Sequence, residues 1–132
     1  MANLSLGSCF EFEVTIDEQK VVRFAELTGD DNPIHLSKEY AASTRFKYPI
    51  VHGMLASSYF STIFGKHFPG EGSIYLAQEV KFLKPIFVGA TVQYKVEISE
   101  LMAMKGIYVF STKAFVNKEL VIDGSAKVVF RG

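Results

Sequence analysis

The sequence predicts an α+β chain in which one antiparallel sheet wraps around a central buried helix. Two observations predict it. Residues 53–65 contain no charged side chain. Met54, Leu55, Ala56, Tyr59, Phe60, Ile63 and Phe64 cover most of that helix's circumference, the pattern of a helix surrounded by protein. From Ser73 onward the hydrophobic period changes to two. Val92, Tyr94, Val96 and Ile98 alternate with Gln93, Lys95, Glu97 and Ser99, as half-buried strands do.

The elements follow in order. Phe10, Phe12 and Val14 alternate with Glu11, Glu13 and Thr15, an opening strand. Thr15-Ile16-Asp17-Glu18 reads as a capping box with Thr15 as N-cap. The helix it opens carries Val21, Val22, Phe24, Ala25 and Leu27 and ends at Gly29, a residue suited to a helix C-terminus. Pro33 fixes its own φ and pushes Asn32 towards extended geometry, so that helix cannot continue. Ser37 can cap a short helix over 38–42, and 43–48 is irregular. The central helix spans roughly 20 Å, and Lys66 and His67 mark its exit to solvent. Strands follow around Val80 and Phe82, through Tyr108, Phe110, Thr112, Ala114 and Val116, and through Ile122, Ala126, Val128 and Phe130. Breaks fall at Pro85 and Gly89, at 102–106 and at 117–119.

At 132 residues the chain is expected to form a single domain over 1–132. Fourteen basic residues balance fourteen acidic ones with no basic run, so no nucleic-acid partner is expected. Cys9 is the single cysteine and is read as a small buried apolar residue. With no intramolecular disulfide possible, a reducing cytoplasm is the expected location. Met1-Ala2-Asn3-Leu4 lacks the basic start and apolar run of a secretory leader. No uncharged apolar run reaches the ~18 residues of a spanning helix, so no membrane partner is expected.

The chemistry concentrates in Gly29-Asp30-Asp31-Asn32-Pro33-Ile34-His35. A carboxylate and an imidazole lie five residues apart on a proline-stiffened segment, a pair suited to acid–base work on water. Taken alone, the same residues are also ordinary turn and capping chemistry. A metal reading with Asp30, Asp31 and His35 lacks a second cluster at ligand spacing, and none is expected. Some twenty residues on comes Pro49-Ile50-Val51-His52-Gly53-Met54-Leu55.

The two stretches together resemble the (R)-specific enoyl-CoA hydratase family of the MaoC-like hydratases. Its signature runs Gly-Asp-x-Asn-Pro-x-His and then Val-His-Gly-Met-Leu at a helix start. The similarity continues through 69–75 and 80–89, and so covers nearly the whole chain. His67-Phe68-Pro69-Gly70 is similar to a motif of the acyl-carrier-protein dehydratases, but here it follows the central helix instead of preceding it.

The resemblance implies a hot-dog fold, Asp30 and His35 as catalytic dyad, and reversible addition of water to a trans-2-enoyl-CoA. It implies no cofactor beyond the CoA of the substrate, and a homodimer with sites near the interface. Gly53, at the start of the buried helix, is the expected oxyanion donor, because its N–H lacks an intrahelical partner and no side chain blocks approach. Ser61 matches a family serine near the active site. It lies roughly 12 Å along the helix from Gly53, and is expected deeper, steadying the dyad or shaping the acyl pocket. His52 is read as a packing residue. Tyr59, Phe60, Ile63 and Phe64 hint at acyl chains of about four to six carbons. Arg45, Lys47, Lys81 and Lys84 are equal candidates for binding CoA. Polyhydroxyalkanoate supply and fatty-acid oxidation are both open, as are a hot-dog acyl-CoA thioesterase and a non-catalytic acyl-CoA-binding subunit.

Overall fold

The computed structural model describes residues 4–132; the leader reading of Met1–Asn3 lies outside them. Strand β1 (Cys9–Thr15) leads into helix α1 (Glu18–Thr28), then two short helices, α2 (Pro33–Leu36) and α3 (Lys38–Ala42). Helix α4 (Gly53–Thr62) runs on into a π-helical turn, Ile63–His67. Strands β2 (Ile74–Phe82), β3 (Thr91–Met102), β4 (Ile107–Val116) and β5 (Glu119–Val129) complete the chain. All pair antiparallel, in the order β1-β3-β4-β5-β2.

The sheet's inner face carries the residues that the two-residue period selects. Val92, Tyr94, Val96 and Ile98 of β3, Phe110 and Ala114 of β4, and Ile122, Ala126 and Val128 of β5 are all buried. They pack with Leu55, Ala56, Phe60, Ile63 and Phe64 in one cluster. Each large apolar side chain so buried contributes about 1.5–3 kcal/mol. Tyr94 adds a polar tether, its hydroxyl donating to the Ala56 carbonyl at 2.6 Å while burial pushes its phenol pKa up. Register shifts at Tyr75/Ala77, Ile98/Glu100 and Ala114/Phe115 add local twist, which helps the sheet curl around the helix.

Three expectations are corrected. The N-cap of α1 is Asp17, whose carboxylate accepts from the Lys20 N–H at 3.0 Å. Thr15 cannot serve, because it ends β1 opposite Thr91, and the two hydroxyls bond each other at 2.7 Å. Cys9 is exposed at the start of edge strand β1. The central helix is buried on one side only: Met54, Ser58 and Ser61 face outward. Gly29 ends α1 with φ 81°, and Ser37 caps α3 by accepting from the Tyr40 N–H at 3.0 Å, both as expected.

Candidate active site

The Asp30–His35 segment is built by local rules. Gly29 turns the chain in the left-handed region that closes α1. Asn32 caps α2 by accepting from the Ile34 N–H, and Pro33 occupies the first helical turn, where its missing N–H costs nothing. One turn of helix then returns His35 towards Asp30.

A strap over 49–51 fixes the imidazole. The Val51 N–H donates to the Ile86 carbonyl at 2.7 Å, and the Val88 N–H to the Pro49 carbonyl at 3.1 Å. Between them, Ile50 serves the histidine segment with both backbone groups. Its N–H donates to the Ile34 carbonyl at 3.2 Å, and its carbonyl accepts from His35 Nδ1 at 2.7 Å. A proton on Nδ1 leaves the lone pair of the neutral ring on Nε2. The pKa of His35 lies below its ordinary 6.5, chiefly because partial burial strips water from the imidazolium. The Ile50 carbonyl opposes that shift, His52 adds to it, and Asp30 opposes it. His35 is therefore a neutral, oriented imidazole at pH 7.

His52 enters the same site. It is 2% exposed, stacks on His35 with ring centres 3.9 Å apart, and bonds the Asp30 carbonyl through Nε2 at 3.0 Å. Ligand atoms of Asp30, His35 and His52 all lie within 4.8 Å of one another, a set that composition alone would nominate for a metal ion. The ring geometry argues otherwise. Imidazole lone pairs lie in the ring plane, and two rings stacked at 27° hold theirs in nearly parallel planes, while His35 Nδ1 and His52 Nε2 are already engaged by the Ile50 and Asp30 carbonyls.

Gly53 follows His52 directly, so the first turn of α4 abuts the dyad. The Gly53 N–H has no hydrogen-bond acceptor among the described residues. A Cβ there would meet the Phe82 ring at 2.8 Å, which is how closely that half-exposed side chain covers the helix start. The structure thus brings together Asp30, His35 and Gly53, and adds His52. Ser61 is not with them. It is exposed on the outer face of α4, beside Met54, Tyr75 and Leu76.

A cavity of about 610 Å³ opens on His35, walled by Leu36, Tyr48 and Phe87 and lined also by the charged Asp17, Glu18, Lys38 and Lys47. Phe60, Ile63 and Phe64 are core residues and do not line it, so they lose their expected part in setting acyl length there. Of the other cations, Lys84 is paired with Glu119 at 2.8 Å and Arg45 lies over the Phe46 ring. Lys38 was not singled out by the sequence. Only the fold carries α3 to the cavity. His52 was visible as a neighbour of Gly53, but its stacking partner lies seventeen residues away and no local pattern announces it.

The chain is similar to known proteins over nearly its whole length. An (R)-specific enoyl-CoA hydratase of Aeromonas caviae is 40% identical over 127 residues, 96% of this chain and 95% of that protein. A 3-hydroxybutyryl-CoA dehydratase of Methylorubrum extorquens is 37% identical, over 96% of this chain and 80% of that one. The solved (R)-hydratase from A. caviae involved in PHA biosynthesis superposes with TM-score 0.95 at 39% identity, covering 99% of this chain and all of that one. An R-hydratase of Pseudomonas aeruginosa gives TM-score 0.92 at 35% identity, over 98% of this chain and 83% of the other. The fold is the hot-dog of these hydratases. The MaoC-like domain model matches residues 5–119, which hold the dyad segment, the start of α4 and strands β1 to β4, and the chain belongs to the MaoC-like domain family.

Proposed function

We propose that this protein is an (R)-specific enoyl-CoA hydratase, adding water reversibly to a trans-2-enoyl-CoA to give the (R)-3-hydroxyacyl-CoA. The observation that carries it is the neutral His35, its Nδ1–H committed to Ile50 and its Nε2 left basic, beside the Asp30 carboxylate. Asp30 accepts one hydrogen of a water molecule and orients it. His35 Nε2 takes the other as the water oxygen bonds Cβ, and the resulting imidazolium returns that proton to Cα on the same face. The Gly53 N–H stabilises negative charge on the thioester oxygen, helped by the positive end of α4. No cofactor beyond the substrate's own CoA enters. Lys38 and Lys47 of the cavity lining supply cations for the CoA phosphates. Ser61, exposed on the outer face of α4, takes no part in steadying the dyad.

Crotonyl-CoA tests the reading. Loss of enoyl absorbance, with a product oxidised by an (R)-specific dehydrogenase and no free thiol, is the expected result. Thiol release without hydration would make the protein a thioesterase, and inertness on short and medium chains would make it an acyl-CoA-binding subunit.

The titration of His35 predicts the pH profile. A lowered pKa means the neutral ring survives to more acidic pH, so the acid limb of kcat/KM has its midpoint below 6.5. An acid limb at or above 6.5 would remove His35 as the base.

The working form is a homodimer. Strand β2 is a sheet edge, and its Ile74, Leu76 and Phe82 are at least half exposed, Leu76 lying beside Met54 on the uncovered face of α4. Unpaired apolar edges of this kind invite a second copy. Sedimentation is expected to give twice the chain mass; a stable, active monomer would exclude the dimer. Among the described residues no helix is long and apolar enough to cross a membrane. An unbridged, exposed Cys9 suits the cytoplasm, and the likeness to the A. caviae structure favours polyhydroxyalkanoate supply over oxidation.

A further inference from the structure

His52 handles neither proton of the addition, yet it touches both members of the dyad. We propose that His52 is a positioning residue that locks Asp30 and His35 into one relative geometry, a role that rests on the hydratase reading above. Three contacts carry it. Its Nε2–H donates to the Asp30 carbonyl at 3.0 Å, fixing the main chain just after the Gly29 turn. Its ring stacks on His35 at 3.9 Å and 27°. The Phe24 ring of α1 packs on the same imidazole at 4.8 Å, so α1 and α2 both bear on it.

The stacking supplies what the Ile50 carbonyl cannot. A single hydrogen bond from Nδ1 leaves the His35 ring free to rock about the bond axis, swinging Nε2 off the water. A face-to-face neighbour removes that freedom. Packing alone does not explain the residue, because His52 Nδ1 is buried with no partner among the described residues. Such an orphaned acceptor is unfavourable, and phenylalanine would fill the space without it. The donor at Nε2 is what phenylalanine lacks.

Two variants separate the contributions: His52→Phe keeps a stacking ring without the donor, and His52→Gln keeps a donor without the ring. On crotonyl-CoA each is expected to lose about 10- to 100-fold in kcat with KM unchanged, the scale of a small misplacement of reacting groups. If His52 only packs, folded His52→Phe retains wild-type kcat and any loss is confined to Tm; that result overturns the proposal. Should His52→Phe fail to fold, wild-type kcat in His52→Gln overturns it equally.

An NMR titration of His35 separates failure here from failure of the hydratase reading, since it needs no turnover. The groups facing His35 are Asp30 and His52, with Asp17, Glu18, Lys38 and Lys47 around the cavity. In His52→Gln the His35 midpoint is expected to rise, because an imidazole that disfavours the charged ring has gone. Wild type inert on short and medium enoyl-CoAs refutes the hydratase; an unmoved His35 titration refutes the coupling of His52 to His35.

Discussion

Asp30→Asn lowers kcat for hydration of crotonyl-CoA by about 10³-fold, within the span that positioned acids and bases contribute. The amide preserves shape but carries no charge and offers one accepting oxygen in place of two, so the water is held and oriented more weakly. Stability changes by about 0.5 kcal/mol or less. Asp30 is exposed, and within the segment its carboxylate accepts only a long 3.4 Å bond from the Asn32 N–H. His35→Ala loses turnover on the same scale but costs stability as well, about 1 kcal/mol, because the Ile50 carbonyl loses its donor. Steady-state rates and thermal melts on the two variants check both halves. Near-wild-type turnover in either would strike that residue from the mechanism.

Gly124→Ala costs roughly 3 kcal/mol of folding stability, at the upper end of what overpacking does. A Cβ at Gly124 would stand 1.9 Å from the Glu79 carbonyl oxygen and 2.9 Å from its carbon. Those are main-chain atoms of the paired strand, where Gly124 lies opposite Val80 of β2 and Thr112 of β4. They cannot swing aside as a side chain does, so β2 must move off β5. Gly53 is the useful contrast. Its added Cβ meets only the Phe82 ring, a half-exposed group with room to rotate, so Gly53→Ala spares the fold and is felt in catalysis. Urea unfolding of Gly124→Ala is the measurement, and an unchanged midpoint would show that the β2–β5 pairing gives way freely.

What the sequence made legible follows from the range of each interaction. Gly29 and Ser37 act on their own neighbours, and both ends fall where their chemistry puts them. Strand alternation sorts Val92 to Ile98 correctly, because one face of the sheet is dry. The Asp30–His35 spacing closes within one short turn, so its proximity is also local. The misses are contests or long-range effects. Thr15 and Asp17 both have capping side chains, and Thr91, seventy-six residues away, claims the first. Ser57, Ser58 and Ser61 interrupt the apolar pattern of α4 on its buried and open sides alike, which hides the open side where Met54, Ser58 and Ser61 lie. His52 becomes part of the site only through rings contributed by α1 and α2.

The walls of the His35 cavity carry a last consequence. Leu36, Tyr48 and Phe87 stand on connecting segments and on a one-turn helix, outside the cluster of buried residues that holds sheet and helix together. Substitutions there change what the cavity admits and leave the core contacts of Phe60, Phe64 and Tyr94 in place. Substrate preference and fold robustness are thus separable traits in this scaffold, open to independent drift in nature and to independent redesign at the bench.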